Sequence, residues 1–97
     1  MKPSEKKKKL VEKLAKFLSK LDTVHLYSLP RQDSTQNWLA NTAAVLKNLE
    51  DPDYQEFVSL SKIISPTQSR FNRKNAAYEI NGFLRRKVAE WRVHYDN

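Results

Sequence analysis

Apolar residues recur at helical spacing over most of this 97-residue chain. A first stripe, with intervals of four, three and four positions, consists of Leu10, Leu14, Phe17 and Leu21. A longer stripe near the C-terminus consists of Ala77, Ile80, Leu84, Val88, Trp91 and Tyr95. Apolar side chains three or four positions apart lie on one face of a helix. The pattern therefore predicts amphipathic helices at about residues 4–21 and 72–95.

Two shorter helices are predicted between these, at about residues 34–49 and 52–64. Asp33 and Gln36 have the spacing of a capping box at the start of the first one. Asp51 before Pro52 is typical of an N-cap at the start of the second, because proline suits the first helical position. The two apolar faces consist of Trp38, Leu39, Ala43, Val45, Leu46 and Leu49, and of Tyr54, Phe57, Val58, Leu60 and Ile64.

Residues 22–33 interrupt the helical pattern. Pro30 biases Leu29 away from helical geometry, so we expect a loop or a short strand in this segment. One strand alone makes no sheet. The chain is therefore predicted to be an all-α, single-domain bundle of about four helices over residues 1–97.

The charge balance is strongly basic, with 18 lysines and arginines against 11 acidic residues and a net charge of +7. Such a balance favours an anionic partner. There is no cysteine, which excludes disulfides and thiolate metal sites and suits a reducing cytoplasm. Lysines interrupt every apolar run near the N-terminus, so we predict neither a signal peptide nor a membrane-spanning segment.

The basic residues form two groups in the sequence. Four lysines lie on one face of the first predicted helix: Lys9, Lys13, Lys16 and Lys20. The second group is found in and before the last helix and consists of Arg70, Arg73, Lys74, Arg85, Arg86 and Arg92. The acidic residues between the groups are interpreted as a helix junction, where carboxylates cap and complement helix N-termini: Glu50, Asp51, Asp53 and Glu56.

Three interpretations of the basic groups stay open. They form a solvated surface, a surface that binds phosphates without reading base sequence, or a membrane-surface helix. Membrane binding is the least favoured, because the first helix needs its apolar face for the core. No recognition-helix or zinc-finger pattern is present, so sequence-specific binding of nucleic acid is not indicated.

Gly82 is the single glycine of the chain and lies inside the last predicted helix. It shares a face with Tyr78, Ala89 and Val93, away from the core stripe. This seam would dock a partner or a second copy of the chain. Alternatively, the last helix is central to the bundle and Gly82 makes a close contact within the protein. We favour the second interpretation.

The residues that usually carry catalysis are sparse. His25 and His94 are the only histidines, and neither has a second metal ligand at a suitable spacing. One glycine cannot form a glycine-rich phosphate loop. We therefore predict a protein that is not an enzyme and uses no metal or cofactor.

A family resemblance begins at Trp38. The run WLANTAAVLKNLEDPDYQEFVSLSKIISP contains a leucine-rich helix, a short acidic turn and a Ser65-Pro66 break, and YEINGFLRRKVAEW follows it. Over about residues 37–95 this resembles a small helical module that accompanies effector domains in prokaryotic anti-phage proteins of the abortive-infection type. The resemblance implies a regulatory or adaptor role without catalysis, and it carries over no active-site residue.

Together these observations predict a cytoplasmic, non-catalytic adaptor module whose basic ends engage an anionic partner, an acidic protein or a nucleic acid backbone. The resemblance implies that the setting is a host–phage conflict system. The alternative is a small protein that binds nucleic acid without sequence preference. Formation of a homo-oligomer stays open.

Overall fold

The computed structural model describes residues 3–96, and this part of the chain is 80% helical without strands. The all-α prediction is confirmed. Met1, Lys2 and Asn97, which the single-domain prediction includes, lie outside the described residues. Five helices follow one another: α1 (Pro3–Ser19), α2 (Thr23–Ser28), α3 (Asp33–Asn48), α4 (Tyr54–Ile63) and α5 (Arg70–Asp96).

The long helix α5 organises the bundle. Its 27 residues contact α1, α2 and α4, while α3 packs against α1 and α4. A helix of this length measures about 40 Å, which accounts for the 44 Å long axis of the molecule. The predicted core stripe of α5 is confirmed, because Ala77, Ile80, Leu84 and Val88 are buried and Trp91 and Tyr95 are half-buried against the core.

The apolar faces of the other helices complete the core. Val11 and Leu14 of α1 are buried, and Phe57 of α4 is fully enclosed. Each such side chain contributes about 1.5–3 kcal/mol by leaving water. Trp38 is half-buried at the edge, where its indole N–H donates to the Phe17 carbonyl at 3.0 Å and joins α3 to α1.

Helix α2 corrects the prediction of a loop or short strand at residues 22–33. The Asp22 carboxylate accepts a hydrogen bond from the His25 backbone N–H at 3.0 Å and caps the helix. Leu26 and Tyr27 are buried and hold the helix against α5. Six residues are too few to show a clear period in the sequence, so tertiary packing decides this element.

The predicted capping box at the start of α3 is wrong. The helix begins at Asp33 with Gln32 as N-cap, and no side chain caps it. The Gln36 amide instead donates to the Pro30 carbonyl at 2.7 Å, and the buried Thr35 hydroxyl donates to the Leu29 carbonyl at 2.8 Å. Both side chains therefore hold the preceding loop rather than the helix N-terminus.

The junction between α3 and α4 also differs from the prediction, because α4 begins at Tyr54 and its N-cap is Asp53. Glu50 has a φ of 58° after the end of α3. The Asp51 N–H donates to the Leu46 carbonyl and the Glu50 N–H to the Lys47 carbonyl, which is a Schellman motif. This turn directs Asp51 inward, and its side chain is buried.

Candidate anion-binding site

The four lysines of α1 form one exposed row, which we call the lysine stripe: Lys9, Lys13, Lys16 and Lys20. They lie opposite the helix face that carries Val11 and Leu14. None of the four forms an ion pair with another described residue. Their stems and the half-buried Phe17 line a shallow groove of about 570 Å³. The stripe is therefore a row of available cations beside apolar surface.

Glu12 is the acidic residue within this groove. It is held at the boundary with α5, where its Oε2 lies 3.4 Å from Nη2 of Arg92. Near the start of α1, Nζ of Lys7 lies 3.2 Å from Oε2 of Glu50. Lys7 is therefore paired within the protein and is not part of the lysine stripe. Because Arg92 compensates Glu12, the lysine stripe keeps its positive charge.

The second basic group does not form one surface. Nε of Arg73 donates to the Tyr27 carbonyl at 2.8 Å and Nη1 donates to the Gln68 carbonyl, which ties the end of α2 to the start of α5. The Arg70 guanidinium lies over the Tyr27 ring, 5.3 Å from its centroid. Arg86 contacts Glu56 at 3.7 Å and Glu90 at 3.8 Å. These arginines mainly serve contacts within the protein.

Lys74 and Arg85 are the two members of the second group that are exposed and make neither an ion pair nor a side-chain hydrogen bond nor a contact with an aromatic ring among the described residues. Together with the lysine stripe they are the candidate site residues that stay available to a partner. Arg92, which the sequence also assigned to binding, is committed to Glu12. The structure thus reduces the candidate surface to α1 and one edge of α5.

A buried ion cluster joins the α3–α4 junction to α5. The Lys87 side chain is 3% exposed, and Nζ lies 3.2 Å from Oδ1 of Asp51. Lys87 also pairs with Asp53 and, at 3.3 Å, with Glu90. The indole N–H of Trp91 donates to the other Asp51 oxygen at 2.7 Å. The prediction that Asp51 is the N-cap of α4 is wrong, because Asp53 holds that position. The Asp51 carboxylate accepts a hydrogen bond from the Asp53 backbone N–H at 2.8 Å and is the buried counter-ion of Lys87.

The titration of this cluster follows from its contacts. Burial by itself lowers the pKa of Lys87, but hydrogen bonds to Asp53 and Asp51 outweigh it, so the Lys87 pKa lies above its ordinary value. The hydrogen bond from Lys87 lowers the pKa of Asp53 below its ordinary value, against the opposing effect of burial. Lys87 is thus held charged but enclosed, and it does not add to the anion-binding surface.

The seam on α5 is open to solvent. Tyr78 is 54% exposed and Val93 is 64% exposed, and Gly82 and Ala89 are exposed between them. A Cβ placed on Gly82 would meet nothing within 4 Å. The close contact within the protein that we favoured for Gly82 is therefore wrong. Packing among the described residues therefore does not require a glycine at this position.

The two histidines occupy ordinary helix surface. Nε2 of His25 lies 3.1 Å from the Ser34 hydroxyl, and the His94 ring packs edge-on against Trp91 and Tyr95. A groove of about 670 Å³ between α3 and α4 is lined mainly by apolar residues and has Arg31 and Lys62 among its polar ones, with no histidine or carboxylate. Within residues 3–96, no three His, Cys, Asp or Glu side chains are placed to share a metal ion.

Comparison with known proteins identifies no relative of this chain. No family model matches it, and neither a curated protein nor a solved structure is significantly similar to it. None of the described helices combines the length and the apolar character that a membrane crossing demands.

Proposed function

We propose that this chain is a non-catalytic adaptor module of the cytoplasm, and that the lysine stripe of α1 binds an acidic surface of another protein. The observation that carries this proposal is the row of four exposed lysines, none of which pairs with a carboxylate among the described residues. The row extends over about 16 Å. Like charges four positions apart destabilise a helix by a few tenths of a kcal/mol per pair. A bound anionic partner removes that repulsion.

The groove beside the lysine stripe supports an acidic protein as the partner. Phe17 and the lysine methylene groups supply apolar surface between the charges. An acidic peptide segment with one apolar side chain satisfies both parts of the groove, whereas a phosphate backbone offers no apolar group. The resemblance to helical modules of anti-phage proteins adds a phage-defence setting to this proposal.

The second candidate function is binding of nucleic acid without sequence preference. Lysine suits phosphate as a compact point charge, and four lysines in a row can neutralise several phosphates without reading bases. With four contacts, the logarithm of the association constant for duplex DNA would fall against the logarithm of salt concentration with a slope of about −3.6.

The two candidates are separated by fluorescence anisotropy with three labelled probes. The first is a glutamate-rich peptide containing one leucine, the second is the same peptide with alanine in place of leucine, and the third is a duplex DNA. Binding of the wild type is compared with Lys13→Glu/Lys16→Glu and with a control, Lys47→Glu/Lys62→Glu. Both double variants change the net charge equally, but Lys47 and Lys62 are exposed residues of α3 and α4.

An adaptor should bind the leucine peptide more tightly than the alanine peptide or DNA at about 0.15 M salt, where charged contacts alone are screened. Lys13→Glu/Lys16→Glu should abolish this binding, and the control should retain most of it. Tighter binding to DNA, with the slope given above, would favour the nucleic acid candidate. Equal binding by the two double variants would show that the lysine stripe is an ordinary solvated surface. This result would contradict both candidate functions.

A further inference from the structure

The outward face of α5 carries apolar residues that the bundle leaves more than half exposed, although the Tyr78 ring also packs against Tyr27 at a centroid distance of 6.5 Å. Phe71 is 72% exposed, and Tyr78 and Val93 are each more than half exposed. With Gly82 and Ala89 they lie at intervals of seven, four, seven and four positions, which keeps them on one helix face. This face, which we call the α5 seam, extends over about 33 Å. A monomer seldom leaves an apolar row of this length uncovered.

The centre of the α5 seam is suited to a close approach of another backbone. Gly82 lies midway between Phe71 and Val93, and no other described part of the chain comes within 4 Å of its Cβ position. Glycine disfavours a helix interior, and its usual compensation is that another backbone can come near. Ala89 extends this low surface by two turns. A partner that fits here therefore presents a helix face that also carries small side chains.

Charged residues flank the α5 seam in an ordered way. Lys74 and Arg85 lie along one edge, and Glu79, Arg86 and Glu90 lie along the other. Lys74, Glu79 and Arg85 make no ion pair with another described residue, whereas Glu90 contacts Arg86 and Lys87. Lys74 precedes Glu79 by five positions, and Arg85 precedes Glu90 by five. This is the offset at which the flanking charges of two parallel helices meet.

We propose that two copies of this chain associate through their α5 seams, with the two α5 helices parallel and in register. Parallel pairing sets the Lys74 edge of each copy against the Glu79 edge of the other, so Lys74 meets Glu79 across the interface, whereas Glu90 stays paired with Arg86 and Lys87 of its own chain. Antiparallel pairing would set basic edge against basic edge. The two-fold axis then runs along the helices, and the same surface is used by both copies.

The area available predicts a reversible dimer. Aromatic side chains bury about 150–250 Å² each when they are covered, so the exposed parts of two Phe71 and two Tyr78 rings supply roughly 500 Å². The remainder of the seam brings the contact near the lower limit of a specific interface, about 1,000 Å². Association should therefore depend on concentration.

The test is a charge exchange measured by sedimentation equilibrium. Lys74→Glu alone sets two glutamates against each other, and Glu79→Lys alone sets two lysines against each other. Each single variant should weaken dimerisation by about tenfold or more. An equimolar mixture of the two single variants should restore it as a heterodimer, and Lys74→Glu/Glu79→Lys in one chain should restore the homodimer.

Two further variants separate the seam from general charge and folding effects. Lys62→Glu changes the net charge as Lys74→Glu does, but it should leave dimerisation unchanged because Lys62 lies on α4. Phe71→Ser should weaken dimerisation without lowering the melting temperature of the dilute protein. A wild type that is monomeric at its highest soluble concentration would overturn the proposal. A dimer that survives Lys74→Glu, or whose heterodimer is not restored in the mixture, would overturn the parallel arrangement.

Discussion

Lysines have opposite environments in two regions of this protein. On α1, four of them stand in water without a counter-ion among the described residues, beside a groove that contains Phe17. On α5, Lys87 is enclosed, with Asp51, Asp53 and Glu90 around its ammonium group. The lysines of α1 are therefore available to bind a partner, whereas the charge of Lys87 is already compensated within the fold.

The two lysine environments differ because carboxylates surround Lys87 and do not surround the lysines of α1. The number of basic residues in each region does not reveal this difference. Removing a lysine from water costs several kcal/mol unless an opposite charge and hydrogen bonds are in place. The Schellman turn after α3 provides them by directing Asp51 inward, where Trp91 also donates to it. In the part of the chain that the structure describes, no such turn faces the outward side of α1, so its lysines remain exposed.

The largest effect is expected when the buried cluster loses its cation. Lys87→Met should lower the free energy of unfolding by about 3–5 kcal/mol, because it leaves Asp51 buried and charged without a counter-ion. Urea denaturation measures this loss. The matched control is Lys13→Met, which removes an exposed lysine and should stay within about 0.5 kcal/mol of the wild type.

A double variant, Asp51→Asn/Lys87→Met, sharpens this result. Asparagine keeps one oxygen that can accept from Trp91 while the unpaired charge is gone, so much of the stability should return. If Lys87→Met costs no more than Lys13→Met, the two regions are equivalent and the contrast between them is lost.

The cluster should also make stability depend on pH in a defined way. The pKa of Asp53 is lowered by folding, so its contribution is present above its ordinary pKa of 3.8 and disappears as the pH falls through the lower folded value. The pKa of Lys87 is raised, so its contribution is present below 10.5 and disappears as the pH rises through the higher folded value. Between about pH 5 and 9 both contributions are complete.

The contribution of Asp53 is checked by urea denaturation of the wild type and of Asp53→Asn at several pH values in the acid range. The difference in unfolding free energy between the two proteins should be constant near neutral pH and should shrink below about pH 4. A difference that does not change from neutral pH to pH 3 would show that the ionised Asp53 adds nothing to stability.

The smallest effect concerns Gly82. Gly82→Ala should raise the free energy of unfolding of the dilute monomer by about 1 kcal/mol, because alanine is the better helix former and its methyl group meets no neighbour. Thermal unfolding at low concentration measures this gain. Destabilisation instead would mean that Gly82 is closely packed within the protein after all.

The helical periods of the sequence predicted the long elements well. The stripe from Ala77 to Tyr95 and the faces of α1, α3 and α4 lie against the core, because a period near 3.6 leaves one face for burial. The exception is Val58, which lines the groove between α3 and α4. Helix α2 was missed, since six residues held by the Asp22 cap and by contacts with α5 carry little periodicity of their own. The start of α4 was placed too early, because Asp51 and Pro52 have the composition of a cap but belong to the preceding turn.

The sequence by itself determined the fold class, the four long helical segments and the row of lysines on α1, because all of these follow from spacing along a single helix. Tertiary structure alone decided which charges are available. It enclosed Lys87 beside Asp51, committed Arg73 and Arg92 to contacts with α2 and α1, and left Gly82 in the open. The physical reason is that the environment of a charge depends on groups distant in the chain, such as the 36 positions between Asp51 and Lys87, and a local pattern does not contain them.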